Sequence, residues 1–147
     1  MTRPEPTTID ETAPVVARHE IIVDAMVPAL HVDVERWPSW NSDITDVSID
    51  GPFEPGAAFR WHGGGMTIDS TVHAVESETR TLWGGETLGI VGIHLWTFTP
   101  DGRRTRVRTE ESWTGAPVDA DPDGLQPQLD ASLVRWLDEL KRAAERS

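Results

Sequence analysis

Residues 125–144 constrain the fold of this chain more than any other stretch. Leu125, Leu129, Leu133, Trp136, Leu137, Leu140 and Ala144 recur at three- and four-residue steps, while Asp130, Arg135, Asp138, Glu139, Lys141 and Arg142 fall mostly elsewhere. That spacing predicts an amphipathic helix. At about 1.5 Å per residue, some 20 residues make a rod of roughly 30 Å, enough to cross a small domain. Such a helix must bury its stripe, and the curved face of a sheet is the partner large enough to take it.

The rest of the chain supplies that sheet. "VVARHEIIVDA" (15–25), "DITDVSID" (43–50), "AAFRWH" (57–62), "MTIDSTVHAVE" (66–76), "RTLWGGE" (80–86), "IVGIHLWTFT" (90–99) and "TRVRTEESWTG" (105–115) read as strands. The links between them, "DGPFEPG", "GGG", "SET", "TLG" and "PDGRR", are rich in turn residues. About seven strands in an antiparallel meander follow. Between the first two, "AMVPALHVDVERWPSWN" (25–41) has helical spacing interrupted by Pro28 and Pro38, predicting two short helices or turns. The expected fold class is therefore α+β, a bent antiparallel sheet gripping one C-terminal helix. Residues 1–14, "MTRPEPTTIDETAP", lack the apolar core of a signal peptide and are expected to form a disordered tail. Residues 15–147 are expected to form a single ligand-binding domain.

Composition narrows the partners. With 13 Lys+Arg against 25 Asp+Glu the formal net charge is -12, which opposes binding to a phosphate backbone or an anionic membrane surface. The absence of cysteine excludes a disulfide framework, a zinc–thiolate site and a thiol nucleophile. No run approaches the roughly 18 apolar residues of a membrane span, so a cytoplasmic protein is the default expectation. Seven Trp and three Phe occur without any Tyr. In so small a domain that number argues that some of them line a cavity, the others filling the core.

The two-residue period of strands assigns faces. Ile90, Gly92, His94, Trp96 and Phe98 share one side of their strand; Val107, Thr109, Glu111 and Trp113 oppose the charged set Arg106, Arg108 and Glu110. If Gly102-Arg103 forms a two-residue type II′ loop, His94 stands opposite Glu111 and Trp96 opposite Thr109. If Asp101-Gly102 forms a type I′ loop, His94 faces Thr109 and Glu111 lies one diagonal away. Both keep the imidazole and the carboxylate on one face; a three-residue loop would separate them. By the same parity Phe59, Trp61, Ser70 and Trp83 point inward. The inward set is largely apolar with a few convergent polar groups, which is the composition of a small-molecule pocket.

"VERWPSWN" (34–41), "GPFEPGAAFRWHGGG" (51–65), "IDSTVHAVE" (68–76), "GIVGIHLWTF" (89–98) and "TRVRTEESWTG" (105–115), followed by "SLVRWLDELK", resemble the START/Bet v 1-like (SRPBCC) superfamily in its polyketide cyclase/dehydrase branch. The resemblance runs over roughly residues 15–146. It implies a helix-grip fold with two short helices after the first strand, an apolar cavity between sheet and helix, and binding, transport, cyclisation or dehydration of hydrophobic small molecules. No catalytic set transfers with it. "AMVPALHV" is shorter than the first helix of relatives, which affects the rim of the pocket.

The candidate catalytic pair is His94 and Glu111, the carboxylate holding the ring tautomer and raising the imidazole's basicity for proton transfer to or from a carbonyl substrate. The competing reading is a satisfied buried pair that joins two strands. Candidate ligand-binding residues are Trp37, Trp40, Phe59, Trp61, Ser70, Trp83, Trp96, Phe98, Thr109, Trp113, Leu133 and Trp136. Trp37 and Trp40, beside Pro38, serve as a gate or as anchors of the short helices. Arg60, Arg106 and Arg108, and His62 and His73, read as surface. "HVD" (31–33) is a weak metal pattern without paired histidine spacing, and no metal is expected. The expected activity is a cofactor-free cyclase or dehydratase acting on a polyketide-like metabolite. The alternatives are a non-catalytic carrier of an apolar ligand and a co-chaperone-like interaction domain. The expected partner is an apolar or aromatic small molecule, with no nucleic acid and no membrane; a homodimer is left open.

Overall fold

The computed structural model describes residues 6–27, 31–63, 65–76 and 78–146. Pro28, Gly64 and residues 1–5 of the expected tail lie outside the described residues. The strands are β1 (Val15–Val23), β2 (Ile44–Ile49), β3 (Ala58–Gly63), β4 (Met66–Glu76), β5 (Arg80–Thr87), β6 (Ile90–Asp101) and β7 (Arg104–Thr114). They form one antiparallel sheet in the order β1-β7-β6-β5-β4-β3-β2, so the first strand closes against the last. Between β1 and β2 the chain makes a 3-10 turn (Val34–Arg36) and the short helix α1 (Trp37–Trp40), as the broken spacing around Pro38 predicts.

After β7 comes α2 (Ala116–Ala120), which pattern reading missed because one turn is too short to show a period. The long helix α3 (Pro122–Glu145) follows and begins nearly a turn before the apolar stripe does. Asp121 caps it by accepting from the Gly124 amide at 3.0 Å, and Pro122 fills a first-turn position whose N–H would be orphaned anyway. Pro127 lies inside the helix and is tolerated because tertiary packing of the stripe supplies the stability. Leu129, Leu133, Trp136, Leu137, Leu140 and Ala144 are all buried. Side chains of α3 also tie it to the edge strand β1. Gln126 Nε2 donates to the Val16 carbonyl at 2.9 Å, Lys141 Nζ to the Ile22 carbonyl at 2.9 Å, and His19 Nε2 meets Asp130 Oδ1 at 2.8 Å.

The interior divides in two along α3. Val15, Ala17, Val118, Leu129 and Leu133 form a small aliphatic cluster. Trp37, Trp40, Phe59, Trp83, Trp96, Phe98 and Trp136 belong to a larger, aromatic one.

One expectation needs correction. The described part of the 1–14 tail lies against the outer face of the sheet. Ile9, 3% exposed, packs on Leu82 and Leu95. The Asp10 amide donates to Ser112 Oγ at 3.0 Å, Arg80 donates to the Thr7 carbonyl, and Arg18 pairs with Glu11. The cause is visible on the strands: Leu82, Ile93 and Leu95 make the outer face of β5 and β6 apolar, and an apolar face needs cover.

Candidate functional site

The β6–β7 hairpin closes through Gly102 and Arg103, with Asp101 paired to Arg104 and Gly102 at φ +63°. That is the glycine-first loop of the first alternative, and its register puts His94 opposite Glu111 and Trp96 opposite Thr109. Pairing continues across the sheet. One row runs Val72, Trp83, His94, Glu111 and Ala17; the next runs Phe59, Ser70, Gly85, Gly92, Trp113 and Val15.

These rows form the floor of a cavity of about 590 Å³ between the sheet and α3. Of the expected ligand-binding residues, Trp61, Ser70, Trp83, Trp113 and Trp136 line it, together with His94 and Glu111. Trp37, Trp40, Phe59, Trp96 and Phe98 do not; they are packed in the aromatic core at 0 to 6% exposure. Leu133 lies in the aliphatic cluster, and Thr109 is fully buried behind His94. Parity identified the inward face correctly, but it cannot tell which part of that face is filled. The filler is Trp136, whose ring meets Trp37 at 5.2 Å, Trp96 at 5.6 Å and Trp40 at 5.8 Å, all near edge-on, so that aromatic rings pack that half of the grip.

Several wall residues carried no clear sequence signal. Gly92 leaves bare backbone where an added Cβ would sit 3.3 Å from Glu111 Oε2 and 3.5 Å from Trp113 Cδ1. Gly85 is required by close approach, since a Cβ there would fall 2.2 Å from the Asp69 carbonyl oxygen. The glycines in "WGGE" and "GIVGI" were the available hint. Asp43 and Arg135 line the cavity and pair with each other, Nε to Oδ2, at 2.6 Å, with about half of each side chain exposed. Leu88 and Met66, 78% and 37% exposed, stand at hairpin tips on its rim. Leu88 and Gly89 both have positive φ, 51° and 82°, the pattern of a type I′ turn; a leucine is strained there.

Burial and pairing decide the electrostatics of the pair. His94, 3% exposed, faces Glu111 Oε1 from Nδ1 at 3.1 Å and Thr109 Oγ1 from Nε2 at 2.6 Å. Nε2 is therefore hydrogen-bonded within the protein, and Nδ1 stands beside the carboxyl. Burial, helped by repulsion from His31, pushes the imidazole well below its ordinary range, so the ring is neutral. Burial pushes the Glu111 carboxyl up to about 7, even though Trp113 Nε1 donates to its Oε2 at 2.6 Å and favours the ionised form. This corrects the expectation that Glu111 raises the basicity of His94: in this setting the cost of desolvating either charge outweighs the pairing, and the carboxyl is the group that titrates near neutrality. With Glu111 ionised, Nδ1–H faces it at ion-pair distance and Nε2 accepts from the Thr109 hydroxyl. With Glu111 protonated, its hydroxyl faces Nδ1, Nε2–H donates to Thr109, and the Thr109 hydroxyl turns to the Leu95 carbonyl at 3.4 Å. The network can thus serve a carboxyl in either state.

His31, of the "HVD" pattern, is a second buried histidine. It sits against Trp96 at 4.6 Å with Nε2 on Thr81 Oγ1 at 2.9 Å, and burial lowers it to about 3. No group of three or more metal-ligating side chains occurs among the described residues. Of the surface assignments, Arg60 pairs with Asp69 and His62 with Asp46 at the exposed face. No described helix is long and apolar enough to cross a membrane.

Comparison with known proteins agrees with the architecture. The family described as polyketide cyclase/dehydrase and lipid transport matches residues 25–145. Among solved structures, an aromatase/cyclase from Streptomyces sp. R1128 superposes with a TM-score of 0.73 at 19% identity, over 89% of this chain and 93% of that one. A START superfamily protein from Mycobacterium smegmatis gives 0.70 at 14% identity, over 89% and 97%. DynU16, from the dynemicin biosynthetic locus, gives 0.70 at 25% identity over 88% of this chain; the match spans about half of that protein, 47%. No curated protein matches the chain in sequence.

Proposed function

Since the chain belongs to the polyketide cyclase/dehydrase and lipid transport family, we propose that it binds an apolar or aromatic small molecule between sheet and helix and acts on it by proton transfer through Glu111. The observation that carries this reading is a carboxyl on the floor of a cavity walled largely by tryptophans, titrating near neutrality, with Trp113 donating to one of its oxygens and His94 beside the other. A general base near pH 7 is what carbon acids between two carbonyls require. The ionised Glu111 removes a proton from such a carbon, the enolate forms a C–C bond to a second carbonyl of the same chain, and the resulting alkoxide takes the proton back from Glu111. Loss of that hydroxyl with an adjacent proton releases water, with no change of oxidation state overall. His94 acts as the positioning residue, its Nε2 held by Thr109 and its Nδ1 set 3.1 Å from Glu111 Oε1.

The carrier reading uses the same cavity without turnover, and the hold of Thr109 on the buried His94 supports it. An open cavity of about 590 Å³ favours both ligand readings over an interaction domain with a filled interior. The test is native mass spectrometry of the purified protein to identify a co-purifying small molecule, followed by product formation with Glu111→Gln and His94→Gln. Binding retained with turnover lost in Glu111→Gln supports catalysis; product formation unaltered in that variant removes it.

A further inference from the structure

We infer that the cavity selects an electrically neutral, planar ligand that offers a hydroxyl to Glu111, and rejects ligands bearing a carboxylate or phosphate. The inference rests on the cavity reading above and specifies its substrate class.

Among the described residues lining the cavity, Glu111, Asp43 and Arg135 carry charge. The one cation, Arg135, is already bound to Asp43, with half of its side chain in solvent. An anionic group inside the cavity would therefore meet a carboxylate and no unpaired cation. A second buried negative charge without a counter-charge is among the most costly arrangements a site can contain.

The hydrogen-bonding groups point the same way. A carboxylate has about four acceptor positions. At Glu111 one, on Oε2, is occupied by Trp113 Nε1, and His94 Nδ1 stands 3.1 Å from Oε1. The remaining capacity accepts from a donor and does nothing for an acceptor-only anion. Across the floor, Ser70 Oγ accepts from Trp61 Nε1 at 3.1 Å, and its own hydrogen has no acceptor among the described residues. Glu111 thus asks for a donor and Ser70 offers one.

Shape completes the case. In their row Ser70 and Trp113 flank Gly85 and Gly92, which carry no side chain. A ring lying on this bare strip between Trp61, Trp83 and Trp113 contacts backbone below and indole faces beside it, with one edge toward Glu111 and the other toward Ser70.

The test uses three small probes at pH 8 with the full chain. Binding of neutral N-phenyl-1-naphthylamine, read by its fluorescence, reports on the cavity itself. 2-Naphthol and 2-naphthoate share a ring system, but at this pH the phenol is neutral and the acid ionised. Naphthol is expected to displace the probe at a concentration at least roughly tenfold lower than naphthoate does, a gap of about 1.4 kcal/mol. In Glu111→Gln naphthol weakens, naphthoate strengthens and the gap narrows. Naphthoate competing as well as naphthol overturns the inference and leaves the cavity reading standing. So does a preference unaltered in Glu111→Gln. Absence of probe binding removes the cavity reading and the inference with it.

Discussion

Thr109 Oγ1 lies 2.6 Å from His94 Nε2, on the side of the ring away from Glu111, so the imidazole is clamped between a hydroxyl and a carboxyl. Both residues are buried, and removing the hydroxyl strands a ring nitrogen. Thr109→Val is expected to lower stability by about 1–3 kcal/mol, read from urea midpoints, whereas Thr109→Ser keeps most of it. Equal stability of the two variants would show that the hydroxyl does not hold the ring.

Glu111 makes stability depend on pH in an unusual direction. Its folded pKa of about 7 is above the usual 4.5, so the native state holds the proton more tightly than the unfolded state does. The associated stability is complete below about pH 4.5 and is lost as pH rises through 7. The loss is on the order of 3 kcal/mol. Glu111→Gln removes the ionisation. Its melting temperature should exceed that of the parent at pH 8 and approach it toward pH 5; a constant offset across this range would contradict the assignment.

His31 acts with the opposite sign. Burial depresses its pKa to about 3 from 6.5, and His94 is shifted in the same direction. Stability from these neutral rings is present above pH 6.5 and drains away as pH falls toward the folded values. His31→Phe, which keeps an aromatic ring against Trp96, should flatten the decline of the urea midpoint between pH 6.5 and 4. An unchanged slope would mean that His31 is already protonated in the folded protein.

Gly92 sets the floor height beside Glu111. A methyl group there sits 3.3 Å from the carboxylate, close enough to displace it by a few tenths of an ångström without breaking the strand. Gly92→Ala is expected to fold with a change of less than about 1 kcal/mol and to bind naphthol roughly tenfold more weakly by displacement titration. Affinity equal to the parent's would put the ligand elsewhere in the cavity.

Ile9 anchors the N-terminal segment on Leu82 and Leu95. Ile9→Ala is expected to cost about 2 kcal/mol and to expose residues 6–14 to protease before the domain itself unfolds. Parent and variant cut at the same rate would show that Ile9 is not the anchor.

The frame of the fold was legible because its signals are periodic and long. The stripe from Leu125 to Ala144 required a sheet, and the alternation on β6 and β7 placed His94 and Glu111 on one face. What sequence could not supply was depth. Trp96 and Trp83 occupy the same face in adjacent rows, yet one is sealed under Trp136 and the other borders the cavity, a distinction that depends on where α3 crosses. Proton affinities failed for the same reason: pairing His94 with Glu111 suggests a basic imidazole, and only their burial reverses it. Ile9 escaped notice because a lone apolar residue among Pro, Thr and acidic neighbours has no period to reveal it.

The pairing of β1 with β7 has a consequence for how the chain acquires its form. Val15 waits for Trp113, its partner from the far side of the sequence, while the intervening hairpins can zip locally. Contacts of such long range are slow to form. On the ribosome, the meander from β2 to β6 can assemble as it emerges, but β1 stays unpaired until β7 appears, and the cavity has no roof before α3 is made. During that interval the aromatic face of the sheet is open to water, so the growing chain is most exposed to aggregation just before its last helix lands.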